Sequence, residues 1–121
     1  YNFDSIIHPN TIISPTVKLS EGVQVMAGAI IQTHTTVADN TIINTGTKVD
    51  HDCIIGAHVH LAPGVTISGN VKVGDNCHIG VASTIIQGIS IGEKCLIGAG
   101  AVVVSNIANE KKVIGVPAKE V

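Results

Sequence analysis

Residues 55–74 read IGAHVHLAPGVTISGNVKVG, and an aliphatic side chain returns at every sixth position of this stretch, at Ile55, Leu61, Ile67 and Val73. The same step extends in both directions, so that seventeen consecutive positions from Ile7 to Val103 carry Ile, Leu or Val. Neither the 3.6-residue period of a helix nor the two-residue alternation of a half-buried strand describes this pattern. A fixed internal period of this kind predicts a repeat fold.

The other positions of each six-residue unit, or hexad, indicate how the backbone turns. Small or β-branched residues lie four positions after each aliphatic residue, as Val59, Val65 and Val71 do. Position four is Gly, Asn, Asp or His in fourteen of the seventeen hexads, and these types tolerate positive φ. Each of Pro9, Pro15 and Pro63 stands at position three, directly before it, which is typical of a type II turn. Each hexad is therefore predicted to be a short strand that ends in a sharp corner.

Three such hexads close one triangular coil, with positions one and five pointing inward. Coils of this kind stack through parallel-strand hydrogen bonds at ~4.8 Å, and each coil covers its neighbour as in other solenoids. The sequence thus predicts an all-β parallel β-helix of about six coils over residues 7–108. Residues 1–6 are predicted to be a linker stub, and residues 109–121 a short C-terminal cap or tail.

The composition fits a narrow core and limits the possible partners. Apolar residues make up 45 % of the chain but aromatic residues only 2 %, and charged residues are 13 %. So little charge indicates that part of the outer surface is covered by other copies of the chain. The net charge of −2 and the absence of Arg argue against nucleic-acid binding. No apolar run is long enough for a membrane span, and three cysteines without a secretory segment suggest a cytoplasmic protein.

All six histidines fall at outward positions of the repeat. His34 and His58 occupy position four, where a structural role in the corner is expected. His51 lies between Asp50 and Asp52, and a carboxylate beside an imidazole can hold its tautomer and support its positive charge. His60, half a coil further along, could donate a hydrogen bond to a bound thioester or carbonyl. His78, stacked one full coil beyond His60, is expected to be only an outward neighbour in the ladder, and His8 is assigned no role.

The three cysteines Cys53, Cys77 and Cys95 all fall at inward position five. They are expected to pack as small apolar residues and to be inert as nucleophiles.

The hexads resemble those of the hexapeptide-repeat transferases, written as aliphatic-Gly-x-x-small-x, and this resemblance implies that the β-helix is left-handed. A more specific resemblance is to the NeuD/PglD-type sugar acetyltransferases, which include sialic-acid O-acetyltransferases and N-acetyltransferases of nucleotide-linked amino sugars. It is carried by the segments Ile43–Gly46, Asp50–Cys53, Ile55–Gly56 with His60, Leu61–Gly64, Ser68–Val71 and Gly115–Lys119.

The resemblance implies an acetyl-CoA-dependent acetyltransferase that acts as a homotrimer on an amino or hydroxyl group of a nucleotide-linked amino sugar or sialic acid. No insertion interrupts any hexad, so the site is expected to be built from the coils themselves, between subunits, and no metal is expected. The family's catalytic base falls on His51 and its supporting carboxylate on Asp52, where Glu often stands. The contact to acetyl-CoA falls on His60, and backbone contacts to the pantetheine arm fall on Val81 and Ala99. Asn44 matches a position near the active-site groove. Family members usually carry an N-terminal α/β domain, and this chain begins where that domain would end.

Several alternatives remain at this stage. The first is a β-helix that serves only as a trimerisation scaffold. The second is a zinc enzyme like the γ-class carbonic anhydrases, which share the fold; their three histidine ligands are spaced by roughly 36 and five residues, and no two histidines here have either spacing. The C-terminal lysines Lys111, Lys112 and Lys119 belong either to a solvated tail or to a contact with CoA phosphates.

Overall fold

The computed structural model describes residues 5–121, in which nineteen short strands follow one another with a tight turn between most of them. In chain order the strands are β1 (Ile6–Ile7), β2 (Ile12–Ile13), β3 (Lys18–Leu19), β4 (Gln24–Val25), β5 (Ile30–Ile31), β6 (Thr36–Val37), β7 (Ile42–Ile43), β8 (Lys48–Val49), β9 (Ile54–Ile55), β10 (His60–Leu61), β11 (Thr66–Ile67), β12 (Lys72–Val73), β13 (His78–Ile79), β14 (Thr84–Ile85), β15 (Ser90–Ile91), β16 (Leu96–Ile97), β17 (Val102–Val103), β18 (Lys112–Ile114) and β19 (Lys119–Glu120). No α-helix is present among these residues.

The strands form three sheets, and from β1 to β17 each sheet takes every third strand of the chain and pairs its strands in parallel. The A face contains β1, β4, β7, β10, β13, β16, β18 and β19; the B face contains β2, β5, β8, β11, β14 and β17; the C face contains β3, β6, β9, β12 and β15. From β1 to β17 the register between neighbouring coils is three hexads, so that His60 pairs with Ile42 on one side and with His78 on the other. The predicted fold class, a left-handed parallel β-helix of about six coils, is confirmed.

Positions one and five of the hexads build the core. The largest fully buried side chains are aliphatic and come mainly from position one, such as Ile31, Ile43 and Leu61. Four polar residues at position five are also buried, and their hydroxyl groups donate to backbone carbonyls of the next coil: Thr47 to Ala62 at 3.0 Å, for example. These hydrogen bonds replace the ones that the hydroxyl groups would make with water, so burying the hydroxyl groups costs little free energy.

The cysteines follow the same rule, which confirms their predicted inward position. Cys53, Cys77 and Cys95 are buried and are not joined in disulfides. The Cys77 thiol donates to the Gly92 carbonyl at 3.0 Å. Burial raises the pKa of Cys77 to about 11, so this thiol stays protonated near neutral pH and lacks the thiolate that a nucleophile needs.

Left-handed backbone at position four makes the corners. His34 and His58 adopt φ of 60° and 56°, which confirms their predicted place in the turns. Ala82 and Lys94 depart from the favoured residue types but also adopt positive φ, of 59° and 56°. The neighbouring coil holds Ala82 there, because its amide donates to the Pro63 carbonyl at 3.0 Å and so continues the stacking.

Glycine at position two is required for a different reason than glycine in the corners: the backbone of the next coil approaches too closely for a side chain. A Cβ atom added at Gly80 would lie 2.6 Å from both the Ile97 carbonyl oxygen and the Ala99 nitrogen. Both atoms are backbone and cannot move aside without breaking the ladder between coils. Glycine at this position therefore lets two coils stack at full contact.

The C-terminal residues continue the A face beyond the last coil. Strand β18 pairs in parallel with β16, and β19 then folds back antiparallel onto β18. At the other end, β1 begins at Ile6 and pairs with β4. The predicted division into residues 1–6, 7–108 and 109–121 stays a prediction, and residues 1–4 of the linker stub lie outside the described part of the chain. Residues 5–121 contain no helix with the length and hydrophobicity that a membrane crossing requires.

Candidate active site

His51 and Asp52 occupy the corner between β8 and β9, where the B face meets the C face. Asp52 adopts φ 56°, so it supplies the left-handed residue of this corner. The backbone N–H of His51 donates to the Asp50 carboxylate at 2.7 Å, which braces the turn on its other side. The sequence Asp-His-Asp therefore builds the corner itself and leaves the imidazole directed outward.

The imidazole of His51 is paired with the carboxylate of Asp52. Nδ1 of the ring lies 2.9 Å from Oδ2 of the carboxylate. Since a carboxylate accepts hydrogen bonds, the ring proton is held on Nδ1 and Nε2 keeps its lone pair. The two side chains are 43 % and 49 % exposed, so the pair lies at the surface of the chain. This arrangement is suited to a general base.

Gly69, one coil further along, forms the surface on which the His51 ring lies. A Cβ atom at Gly69 would be 2.6 Å from Nε2 and 2.7 Å from Cε1 of the ring. The ring therefore crosses the Gly69 backbone at a distance that any side chain would prevent. Sequence reasoning did not assign this role to Gly69, although its offset of one coil from His51 is the signal that points to it.

The Gly69→Ala variant is expected to keep its fold and to lose activity. The atoms that the new Cβ would meet belong to the His51 ring, which can rotate away. The free energy of unfolding should therefore change by less than about 1 kcal/mol. If the His51 ring is a catalytic base, its displacement should lower the rate of the reaction by about tenfold or more, since misplacing a catalytic group by about 1 Å can be costly. Thermal unfolding and steady-state kinetics check both parts. In a His51→Ala background the same change should alter neither the free energy of unfolding nor the rate. Full activity of Gly69→Ala would contradict the proposal that the His51 ring packs on the Gly69 backbone.

A second group of polar side chains lies on the A face. Nδ2 of Asn44 is 3.2 Å from Nε2 of His60. The rings of His60 and His78 meet edge to face, with centroids 4.9 Å apart and an interplanar angle of 74°. Burial, and to a lesser extent the His78 imidazole, lower the pKa of His60 below its ordinary value. His60 is therefore a neutral imidazole at neutral pH.

Val81 and Ala99 stand on the corner between the A and B faces, next to this second group. They lie one coil apart and are stacked, since the Gly100 amide donates to the Val81 carbonyl at 2.8 Å. Both are exposed, Val81 at 51 %. Their small or short side chains make a low ridge along the rod.

The predicted site residues thus fall into two groups on one chain. Asn44, His60, Val81 and Ala99 belong to the A face and the A–B corner, whereas the His51–Asp52 pair lies on the B–C corner. The A face is the side of a three-sided rod opposite the B–C corner. A single chain therefore does not bring His51 and His60 together.

Two further features concern metals and the C-terminal lysines. Within residues 5–121 no group of three or more His, Cys, Asp or Glu side chains is arranged to hold a metal ion. Lys111 forms an ion pair with Glu120, with Nζ 3.0 Å from Oε1, and both side chains are well exposed. An exposed pair of this kind contributes little to stability.

Two hexapeptide-repeat sequence families match adjoining stretches of the chain. Residues 34–69 match the bacterial transferase hexapeptide of six repeats. Residues 70–105 match the hexapeptide repeat of succinyl-transferase. The two matches join without a gap and together include every residue of both groups.

Several solved structures are similar over nearly the whole chain. The acetyltransferase domain of PglB from Neisseria gonorrhoeae FA1090, in complex with acetyl coenzyme A, is 36 % identical with a TM-score of 0.95, over 100 % of this chain and 59 % of that one. A variant of perosamine N-acetyltransferase from Caulobacter crescentus, in complex with CoA and GDP-perosamine, is 44 % identical with a TM-score of 0.96, over 97 % and 56 %. WeeI from Acinetobacter baumannii AYE is 30 % identical with a TM-score of 0.91, over 93 % and 56 %.

The chain accordingly spans between 56 % and 59 % of the length of these three relatives. The similarity covers the β-helix and both groups of site residues.

Proposed function

Since the chain belongs to the hexapeptide-repeat transferases, we propose that it transfers an acetyl group from acetyl-CoA to an amino group of a nucleotide-linked sugar. The observation that carries this proposal is the 2.9 Å contact between Nδ1 of His51 and Oδ2 of Asp52, from which we infer that the ring proton lies on Nδ1 and that Nε2 keeps its lone pair. The similarity to proteins whose structures contain acetyl-CoA, or CoA with GDP-perosamine, supports the donor and the class of acceptor.

The proposed reaction is a direct transfer. Nε2 of His51 removes a proton from the amine as the nitrogen attacks the thioester carbonyl. A backbone N–H or the His60 ring stabilises the negative charge that develops on the carbonyl oxygen. The carbon–sulfur bond then breaks, and the imidazolium of His51 returns the proton to the departing thiolate. Val81 and Ala99 would contact the pantetheine arm through their backbone, where short side chains leave room for it.

We propose that the site is completed by a neighbouring subunit of a homotrimer. The separation of His51 from His60 on one chain supports this, because only a second copy can bring an A face against a B–C corner. Outward apolar side chains offer surface for such packing, among them Ile12 at 67 % and Ile54 at 50 % exposure. Burial of such side chains between subunits is favourable by about 25 cal/mol per Å² of apolar surface. The cytoplasm is the proposed compartment, since the three free thiols suit a reducing environment.

Thiol release from acetyl-CoA tests this function. The protein is incubated with nucleotide-linked amino sugars and, in parallel, with the matched sugars that carry a hydroxyl in place of the amine. Turnover with an amino sugar, and an acetylated product identified by mass spectrometry, is expected. Turnover only with the hydroxyl series would replace N-acetylation by O-acetylation. No turnover together with no binding of CoA would favour the scaffold alternative.

A further inference from the structure

The orientation of the Asn44 side-chain amide is determined by its neighbour in the chain. The backbone N–H of Thr45 donates to Oδ1 of Asn44 at 2.7 Å. The Thr45 hydroxyl donates to the same oxygen at 3.4 Å. Because an N–H must meet an acceptor, the amide oxygen faces Thr45, and the amide nitrogen faces the other way.

The amide nitrogen of Asn44 then determines where the proton lies on His60. Nδ2 carries hydrogens and no lone pair to share, so at 3.2 Å from Nε2 it donates and Nε2 accepts. A neutral imidazole has one N–H, and if Nε2 is the acceptor that N–H is on Nδ1. His60 is neutral because burial and His78 lower its pKa. The His78 ring packs edge to face on His60 and limits its rotation.

We propose that Asn44 is a positioning residue that holds His60 in the tautomer with its proton on Nδ1. Free histidine prefers the opposite tautomer, with the proton on Nε2, so the protein has to select this form. Among residues 5–121 the contact with Asn44 is the one side-chain hydrogen bond of the His60 ring. Nδ1–H is therefore left to donate to a ligand.

The inference deepens the proposed function, and only its consequence for catalysis rests on that function. A donor at Nδ1 can bind the carbonyl oxygen of a thioester, whereas the other tautomer would present a lone pair to that oxygen and repel it. Loss of Asn44 should therefore weaken the contribution of His60 to transfer by about tenfold, less than the roughly 10²-fold or more typical of removing an oxyanion donor outright. The tautomer itself can be measured without any turnover.

Nitrogen-15 NMR of the intact protein, labelled at histidine, tests the tautomer directly. Two-bond proton–nitrogen correlations distinguish Nδ1–H from Nε2–H by the shifts of the two ring nitrogens, and the His60 signals are assigned by their loss in His60→Gln. The wild-type protein is expected to show Nδ1–H at His60. In Asn44→Ala the signals should move to Nε2–H, and in Asn44→Asp the new carboxylate should accept from Nε2–H.

Thr45→Ala is the matched control, since it removes the hydroxyl but keeps the backbone N–H that orients Asn44. It should retain Nδ1–H. Nε2–H in the wild-type protein, or Nδ1–H that persists in Asn44→Ala, would overturn the inference. If the tautomer behaves as expected but no amino sugar is acetylated, the proposed function fails while the role of Asn44 stands.

Discussion

Replacement of His51 by alanine is expected to lower the rate of acetyl transfer by about 10²–10⁴-fold, the range for loss of a general base. The ring projects from a corner, is 43 % exposed and belongs to no part of the aliphatic core. Its removal should therefore leave the fold and the subunit assembly unchanged. The measurement is thiol release at saturating acetyl-CoA, with thermal unfolding and sedimentation as checks on structure.

Two companion variants separate the base from its support. Asp52→Asn keeps the shape of the side chain but removes the charge that supports the imidazolium, so a smaller loss than that of His51→Ala is expected. Binding of CoA should be nearly unchanged in both, because neither residue is proposed to contact the cofactor arm. A rate close to wild type in His51→Ala would remove His51 from the proposed role.

Mixed oligomers of two inactive variants should regain activity. If His51 comes from one subunit and His60 from the next, random assembly of equal amounts of His51→Ala and His60→Ala chains leaves about one shared site in four with both residues intact. Each variant alone has none. Activity should therefore rise from near zero to about a quarter of the wild-type value, measured on coexpressed chains that carry two different tags.

The matched control pairs His51→Ala with Asp52→Asn. Both residues lie on the same corner of one chain, so every mixed site receives one defect or the other, and no activity above the average of the two variants is expected. Tag pull-down shows that mixed oligomers have formed in both experiments. Failure of the first pair to recover, with mixed oligomers present, would place the whole site in one chain.

The sequence predicted the fold closely because a repeat defines its own contacts. A six-residue step with three corners per coil implies that residues three hexads apart are neighbours, and the pairing of His60 with His78 confirms this. The resemblance to sugar acetyltransferases of the hexapeptide-repeat type, stated from motifs such as Asp50–Cys53, is confirmed by the similarity of fold and sequence. The roles of His51, Asp52, His60, Val81 and Ala99 stay predictions.

Two kinds of feature were not predicted from the sequence. One depends on side-chain rotamers, and the other depends on packing between neighbouring coils. The contact of Asn44 with His60 falls two residues short of a full coil and depends on rotamers, so the coil repeat does not reveal it. The left-handed backbone of Ala82 and Lys94 contradicts their residue preferences and is imposed by the coils on either side. Intrinsic propensity is a weak guide where such packing decides.

The constant register between coils limits how a gene of this kind can lengthen or shorten. An insertion of one residue inside a coil would rotate every later side chain by one place, sending aliphatic groups to water and lysines to the interior. Gain or loss of a complete turn avoids this, because each turn ends where it began. We expect length differences among natural homologues of the rod to occur as full turns, or as excursions at the corners that return to the same point.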